Sequence, residues 1–292
     1  MKQILLAAAL FAATTLVRAQ DFQGMAVYES KTSTSDIKTR MESSKELTPE
    51  MRAMAENMMK KMFEKTFILN FDKTTSVYKE EEKLEAPGQN QVPGRMMSSM
   101  LGGGGTFYKN VKDKTYTVDK EFMGKEFLVK DSLPKLDWKM ESETKQIGGY
   151  NCFKATAVRK ASKSDIRNFR PKKADDKKDA KPEKEKTTNL MDDVEVPDTI
   201  TITAWYTPEI PIAQGPENYW GLPGLILEAS DDKTTILCSK IVLNAKEKVA
   251  IKAPTNGKVV NQKEYDEIVI KKMEELREMQ GRNGGFQMRI GN

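Results

Sequence analysis

The feature that most limits this chain is a series of short β-like runs separated by turn-forming residues. They cover residues 107–111, 115–118, 122–129, 138–144 and 150–158, then 199–206, 225–229, 234–242 and 249–251. Period two is the period of a β-strand. Their repeat of about ten residues, with no helical stretch between neighbours, excludes parallel crossovers and predicts antiparallel meanders. Residues 22–32 begin the series. Phe67, Leu69 and Phe71 continue it, and Val77-Tyr78 marks another short run. Two segments break the pattern with helical period. Thr48-Pro49 opens one, with Thr as N-cap and Pro at the first helical position, and it ends near Phe63. In it Met51, Met54, Met58 and Met62 recur at steps of three and four, and Arg52, Glu56, Lys60 and Glu64 form i,i+4 charge pairs on another face. The other is capped by Asn261 with Glu264 three residues on, carries Tyr265, Ile268, Val269, Met273, Leu276 and Met279 as its apolar stripe, and stops at Gly281. The predicted fold is mainly β (α+β): a large curved antiparallel sheet or half-barrel, with a Met-rich helix in the N-terminal half and a C-terminal helix.

The first nineteen residues read as an export signal. Lys2 supplies the positive start, residues 4–17 are apolar, and Val17-Arg18-Ala19 ends them with small residues, which puts cleavage between Ala19 and Gln20. No later stretch approaches the roughly 18 apolar residues of a membrane span. The expected location is the periplasm, or outside the cell or against the outer membrane. Residues 20–281 then form one β-rich domain and 282–292 a flexible tail. Two breaks interrupt the domain. Residues 80–105, with Pro87-Gly88, Pro93-Gly94 and the glycines 102–105, read as a flexible loop. Residues of about 159–198 read as a charged, disordered insert, and 159–186 alone hold 12 Lys/Arg against 6 Asp/Glu. That segment outweighs the chain's net charge of +5, so the charge gives no support for nucleic-acid binding.

The 292 residues include no histidine. This excludes Ser-His-Asp and Cys-His catalytic units, imidazole-ligated metal and a histidine pH switch. Export makes Cys152 and Cys238, both in β-like runs, candidates for one disulfide; two buried reduced thiols are the other reading. Neither thiol has a base beside it, so a nucleophile is disfavoured. Met51, Met54, Met58 and Met62 have three readings: packing on the sheet, adaptable apolar binding, or soft thioether ligands for Cu(I). Glu80-Glu81-Glu82 and Asp231-Asp232 lack calcium-loop spacing, and residues 102–105 lack the Lys-Ser/Thr of a phosphate loop.

Residues 204–230 read AWYTPEIPIAQGPENYWGLPGLILEAS. Prolines and glycines alternate there with Trp205, Tyr206, Tyr219 and Trp220. Leu222-Pro223-Gly224-Leu225 matches a type II turn, with Pro at i+1 and Gly at i+2. The segment therefore reads as a rigid loop between two strands. The motif Gly221-Leu222-Pro223-Gly224-Leu225-Ile226, its flank Trp205-Tyr206-Thr207-Pro208-Glu209-Ile210-Pro211, Gly215-Pro216, and the upstream blocks Tyr108-Lys109-Asn110, Trp138 and 147–155 resemble the GLPGLI family of exported bacterial envelope proteins. The resemblance runs from about residue 28 to 279, departing from the family pattern where residues 161–196 are inserted. It implies compartment and fold and carries no activity.

Two roles follow for the loop. It is a packing plug over the sheet, or its residues Trp205, Tyr206, Ile210, Tyr219, Trp220, Leu222, Pro223 and Leu225 bind a hydrophobic small molecule, a lipid or an envelope protein. Glu209, Glu217 and Glu228 are its only carboxylates, and none stands beside a nucleophile. The expectation is a non-enzymatic, soluble envelope protein without cofactor, nucleic-acid partner or membrane span in its mature chain. Methionine-based copper handling and a purely structural or interaction role are the alternatives.

Overall fold

The computed structural model describes residues 22–35, 38, 48–81, 105–168, 170–171 and 194–282. The expected signal peptide with its Ala19–Gln20 junction, most of the loop at 80–105, the middle of the insert and the last ten residues lie outside them.

Among the described residues, fourteen strands and two α-helices follow in chain order: β1 (Gln23–Thr32), α1 (Pro49–Phe63), β2 (Glu64–Asp72), β3 (Thr75–Glu80), β4 (Thr106–Asn110), β5 (Thr115–Phe122), β6 (Lys125–Ser132), β7 (Lys139–Ile147), β8 (Tyr150–Lys160), β9 (Arg170–Pro171), β10 (Val194–Glu195), β11 (Thr199–Thr207), β12 (Leu225–Ser230), β13 (Thr234–Leu243), β14 (Lys258–Val260) and α2 (Gln262–Arg282). Twelve strands make one open sheet in the order β14-β6-β5-β4-β3-β2-β1-β13-β12-β11-β8-β7. β9 and β10 form a separate two-stranded ladder. The large sheet is antiparallel except at its edge, where β14 runs parallel to β6.

The alternation read from sequence becomes the two faces of this sheet. Ala26 and Tyr28 on β1, Leu69 and Phe71 on β2, Ile202 and Ala204 on β11, and Ile236 on β13 are buried on one face. That face curls around the loop between β11 and β12. Tyr28 Oη on β1 donates to the Ile226 carbonyl at 2.7 Å, although β13 lies between their strands.

Both helix starts follow the sequence. The amide of Met51 donates to Thr48 Oγ1 at 3.3 Å. At α2 the amide of Glu264 donates to Asn261 Oδ1 and the amide of Asn261 to Glu264 Oε2, both at 2.9 Å, a reciprocal capping box. Tyr265 and Val269 bury themselves on β5 and β6. In α1 the buried residue is Met59; Met58 and Met62 are half-buried and Met51 and Met54 exposed. The methionine stripe is thus half-buried at its C-terminal end and open at its N-terminal end.

Four expectations need correction. No strand forms at 249–251. The edge strand is β14 instead, admitted because Gly257, at φ 112°, lets the backbone pass close to β6; a Cβ there would meet the Phe127 carbonyl carbon at 2.7 Å. Its parallel pairing makes the sheet mixed rather than purely antiparallel. The insert is ordered further than its composition suggests, since β8 reaches Lys160 and Asn168 is buried. Lastly, Cys152 and Cys238 are free, buried thiols. Their strands, β8 and β13, are separated by β11 and β12. Three strand spacings are about 14 Å along the sheet, twice the ~7 Å limit for bridged Cα atoms. Both thiols face the same core, and burial pushes Cys152 up to about 11 and Cys238 to about 12.

Candidate functional site

The loop from β11 to β12 lies inside the curl of the sheet. Tyr206, Ile210, Tyr219, Leu222 and Leu225 are buried in the main core. Trp205 and Trp220 are half-buried and Pro223 is exposed. Of the eight residues proposed from sequence for binding, the structure turns five into core and leaves one open to solvent. The two tryptophans spend their indole surfaces on structure. Lys145 Nζ lies 4.3 Å from the Trp205 ring centroid while pairing with Glu228 at 2.7 Å. Trp220 donates to the Pro134 carbonyl and Trp138 to the Trp220 carbonyl, each at 2.9 Å.

A buried irregular segment must satisfy its own backbone polar groups. Part of that work is internal: Leu225 donates to the Ile210 carbonyl at 2.9 Å, Ile226 to Gln214 at 3.0 Å, and Gly221 to Ala213 at 3.2 Å. Three further carbonyls fall to Lys109 on β4, which is 1% exposed. Its ammonium donates to the carbonyls of Gly215 at 2.7 Å, Glu217 at 2.9 Å and Tyr219 at 3.0 Å. Three N–H donors meet three carbonyls, so the charged form is fully used. Burial pulls this amine down to about 7, and Glu217 opposes the fall. Glu217 takes a left-handed backbone, φ 45°, within this caged stretch. On β3, Ser76 Oγ donates to the fully buried Gln214 at 2.9 Å.

The motif glycines divide the labour differently from the expected turn. Gly224 lacks the positive φ that a type II turn requires, whereas Gly221 has φ 91°. Gly224 is needed for close approach: a Cβ there would stand 2.2 Å from the Thr207 carbonyl oxygen, where the loop closes on its own start. Gly215 would likewise place a Cβ 2.9 Å from Ile226.

The loop's carboxylates all have structural partners. Glu209 accepts from the Asn151 amide at 2.8 Å, and Glu228 holds Lys145. Glu217 accepts from Arg167 Nη1 at 2.7 Å. Arg167 also spans Asp165, through Nε at 3.1 Å and Nη2 at 2.9 Å. Burial works against the Asp165 carboxylate, yet the adjacent guanidinium holds it down at about 2. Lys120, over the Tyr265 ring at 4.6 Å, faces Asp165 and Asp266. Beside this network is a cavity of about 10 Å³ between Arg159, Arg167, Glu217, Tyr219 and Asp231, the room of roughly one water. Among the described residues, no group of three or more Asp, Glu or Cys is placed to hold a metal ion, and no helix is long and apolar enough to cross a membrane.

Lys109, Arg167 and Gln214 were not singled out as functional by sequence reasoning. Lys109 sat within a motif block, Tyr108-Lys109-Asn110, without a reason for being there. Arg167 was counted as one more charge of the insert.

Residues 138–228 match the model of a family described as a protein of unknown function (Porph_ging). The match fits a bacterial envelope family in general terms, runs from β7 through the loop into β12, and names no activity. No curated protein matches the chain. Among solved structures, PNGF-II in its C2 crystal form is 14% identical with a TM-score of 0.45, covering 86% of this chain and 33% of that one. PNGF-II in a P21 form gives 14% identity and a TM-score of 0.43, covering 85% and 33%. The chain thus spans about a third of the PNGF-II chains it resembles.

Proposed function

We propose that this chain is an exported, non-enzymatic protein of the bacterial envelope that acts through its outer surface, and that the segment carrying the GLPGLI motif is its internal plug. The observation that carries this reading is the cage of three loop carbonyls on the buried Lys109 ammonium. A recognition loop presents its rings to a partner; this one is tied down from inside. Its carboxylates are engaged in structural pairs, which supports a role without catalysis. The test is to purify the full chain natively, extract bound lipid, and repeat with Trp205→Ala and Trp220→Ala. Thermal stability should fall in the variants, with no lipid retained at stoichiometric level in any of the three. A wild-type lipid lost from variants of unchanged stability would overturn the plug and restore the ligand site.

The exposed Met51 and Met54, one helical turn apart, favour a second reading, soft-metal handling by α1. Cu(I) titration against a competing chelator checks it; affinity equal to that of a Met51→Leu/Met54→Leu variant removes it.

A further inference from the structure

We propose that residues 162–168, the ordered root of the charged insert, form a latch that keeps the plug seated, and that latch and plug open together as one local unit while the sheet stays folded. This goes beyond the plug reading by assigning the insert's root a task. The root touches three separate elements. Arg167 grips Glu217 of the plug at 2.7 Å. Ser164 Oγ donates to Asp266 of α2 at 2.6 Å. Just beyond the root, Arg170 pairs with Asp232 at the β12–β13 turn at 2.5 Å, and its Nη1 donates to the Arg167 carbonyl at 2.8 Å. Asn168 closes the root on itself by donating to the Ser162 carbonyl at 2.8 Å.

Glu217 is where the latch meets the plug. Its carbonyl is held from the sheet by Lys109 and its carboxylate from the root by Arg167. The left-handed backbone there is a conformation that non-glycine residues adopt only when surroundings impose it. Loss of the Arg167 grip leaves a half-buried carboxylate facing Tyr219 and Tyr78 without its ion-pair partner. The charges around the joint come from every neighbouring element: Asp165 in the root, Lys109 and Lys120 on the sheet, Arg159 on β8, Asp231 at the turn and Asp266 on α2. Arg159 Nε is buried beside the 10 Å³ cavity with no partner among the described residues, so the joint is not sealed by direct contacts alone. Ion pairs and a small polar void join latch to plug, whereas strand pairing joins the sheet. The root, held by ion pairs and side-chain hydrogen bonds, is the part that opens first, and the plug it steadies follows.

The experiment is amide hydrogen exchange by mass spectrometry on the full chain, comparing wild type, Arg167→Gln and Arg167→Lys. Peptides over 210–226 should exchange at least about tenfold faster in Arg167→Gln, with β1, β2 and β3 unchanged and Arg167→Lys in between. Equal acceleration in every peptide, or a folded Arg167→Gln with wild-type plug protection, would overturn the latch. Should Arg167→Gln not fold, Arg167→Lys decides alone: local acceleration supports the proposal and uniform acceleration rejects it.

Discussion

The concave face of the sheet is covered in two ways. Over β5 and β6 the cover is α2, which lays Tyr265 and Val269 on Tyr116, Phe127 and Val129. Over β1, β2, β3 and β11–β13 the cover is the irregular loop 208–224, which inserts Ile210, Ile212, Tyr219 and Leu222. A helix meets its backbone hydrogen bonds internally and needs from the sheet only an apolar surface. An irregular segment brings orphan carbonyls into the core and needs donors from outside itself. The loop-covered half therefore recruits Lys109 from β4 as the donor to three loop carbonyls and Ser76 from β3 to hold the loop's own Gln214, whereas the lysine on the helix side, Lys120, lies over the Tyr265 ring. Burying irregular backbone makes the protein depend on a sheet lysine for its carbonyls, whereas the sheet's polar groups under α2, Lys120 and Tyr116, meet side chains of the helix.

The largest test of that contrast is Lys109→Met. It should cost on the order of 3 kcal/mol in urea unfolding, because three buried carbonyls lose their donor while the desolvation of the ammonium is relieved. A loss under about 1 kcal/mol would mean that water reaches the loop and the contrast fails. Gly224→Ala should follow at about 2–3 kcal/mol, since the added methyl meets backbone that cannot yield. Gly124→Ala serves as its control: its Cβ would meet nothing within 4 Å, and only its φ of 75° is penalised, at roughly 1 kcal/mol. On the helix side, Val269→Ala should cost roughly 2 kcal/mol with plug exchange unchanged. Acid separates the halves without mutation. Asp165 titrates at about 2 in the fold against an ordinary 3.8, so its stabilisation is complete above about pH 4 and disappears as pH falls toward 2. That is on the order of 2 kcal/mol, and plug protection should drop across this window before α2 loosens, as read by exchange at fixed temperature. The smallest effect is Asn261→Ala at the cap of α2, about 1 kcal/mol by thermal melt.

These halves were also unequally legible. For α2, the capping pair Asn261 and Glu264 and the spacing of Tyr265, Ile268, Val269 and Met273 are local signals, and the helix stands where they put it. Most strands of the sheet were legible for the same reason, since alternation at Leu69 and Phe71 or at Ile202 and Ala204 states which side chain is buried. Sequence placed the loop correctly between two strands but left its orientation open. Trp, Tyr, Pro and Gly serve equally in an exposed recognition loop and in a buried plug, and the choice depends on Lys109, about a hundred positions away. Nothing in the spacing of Tyr108-Lys109-Asn110 links it to Gly215 or Tyr219. Arg167 was hidden for a different reason: a single structural guanidinium cannot be told by composition from the lysines around it. On α1 the period was legible and the buried face was left open between three readings: Met59 is buried, Met58 and Met62 half-buried, Met51 and Met54 exposed.

The placement of β1 has a consequence for how the chain is made. β1 sits mid-sheet between β2 and β13, with Tyr28 opposite Cys238 and Gly24 opposite Leu243. A polypeptide emerging from its N-terminus can zip β1 to β6 as a meander, but one side of β1 stays unpaired until more than two hundred further residues arrive. Closure is thus a late, long-range event, of the kind that slows folding and exposes a sticky edge meanwhile. The nascent chain must be kept from pairing that edge with its neighbours until its last third has been made.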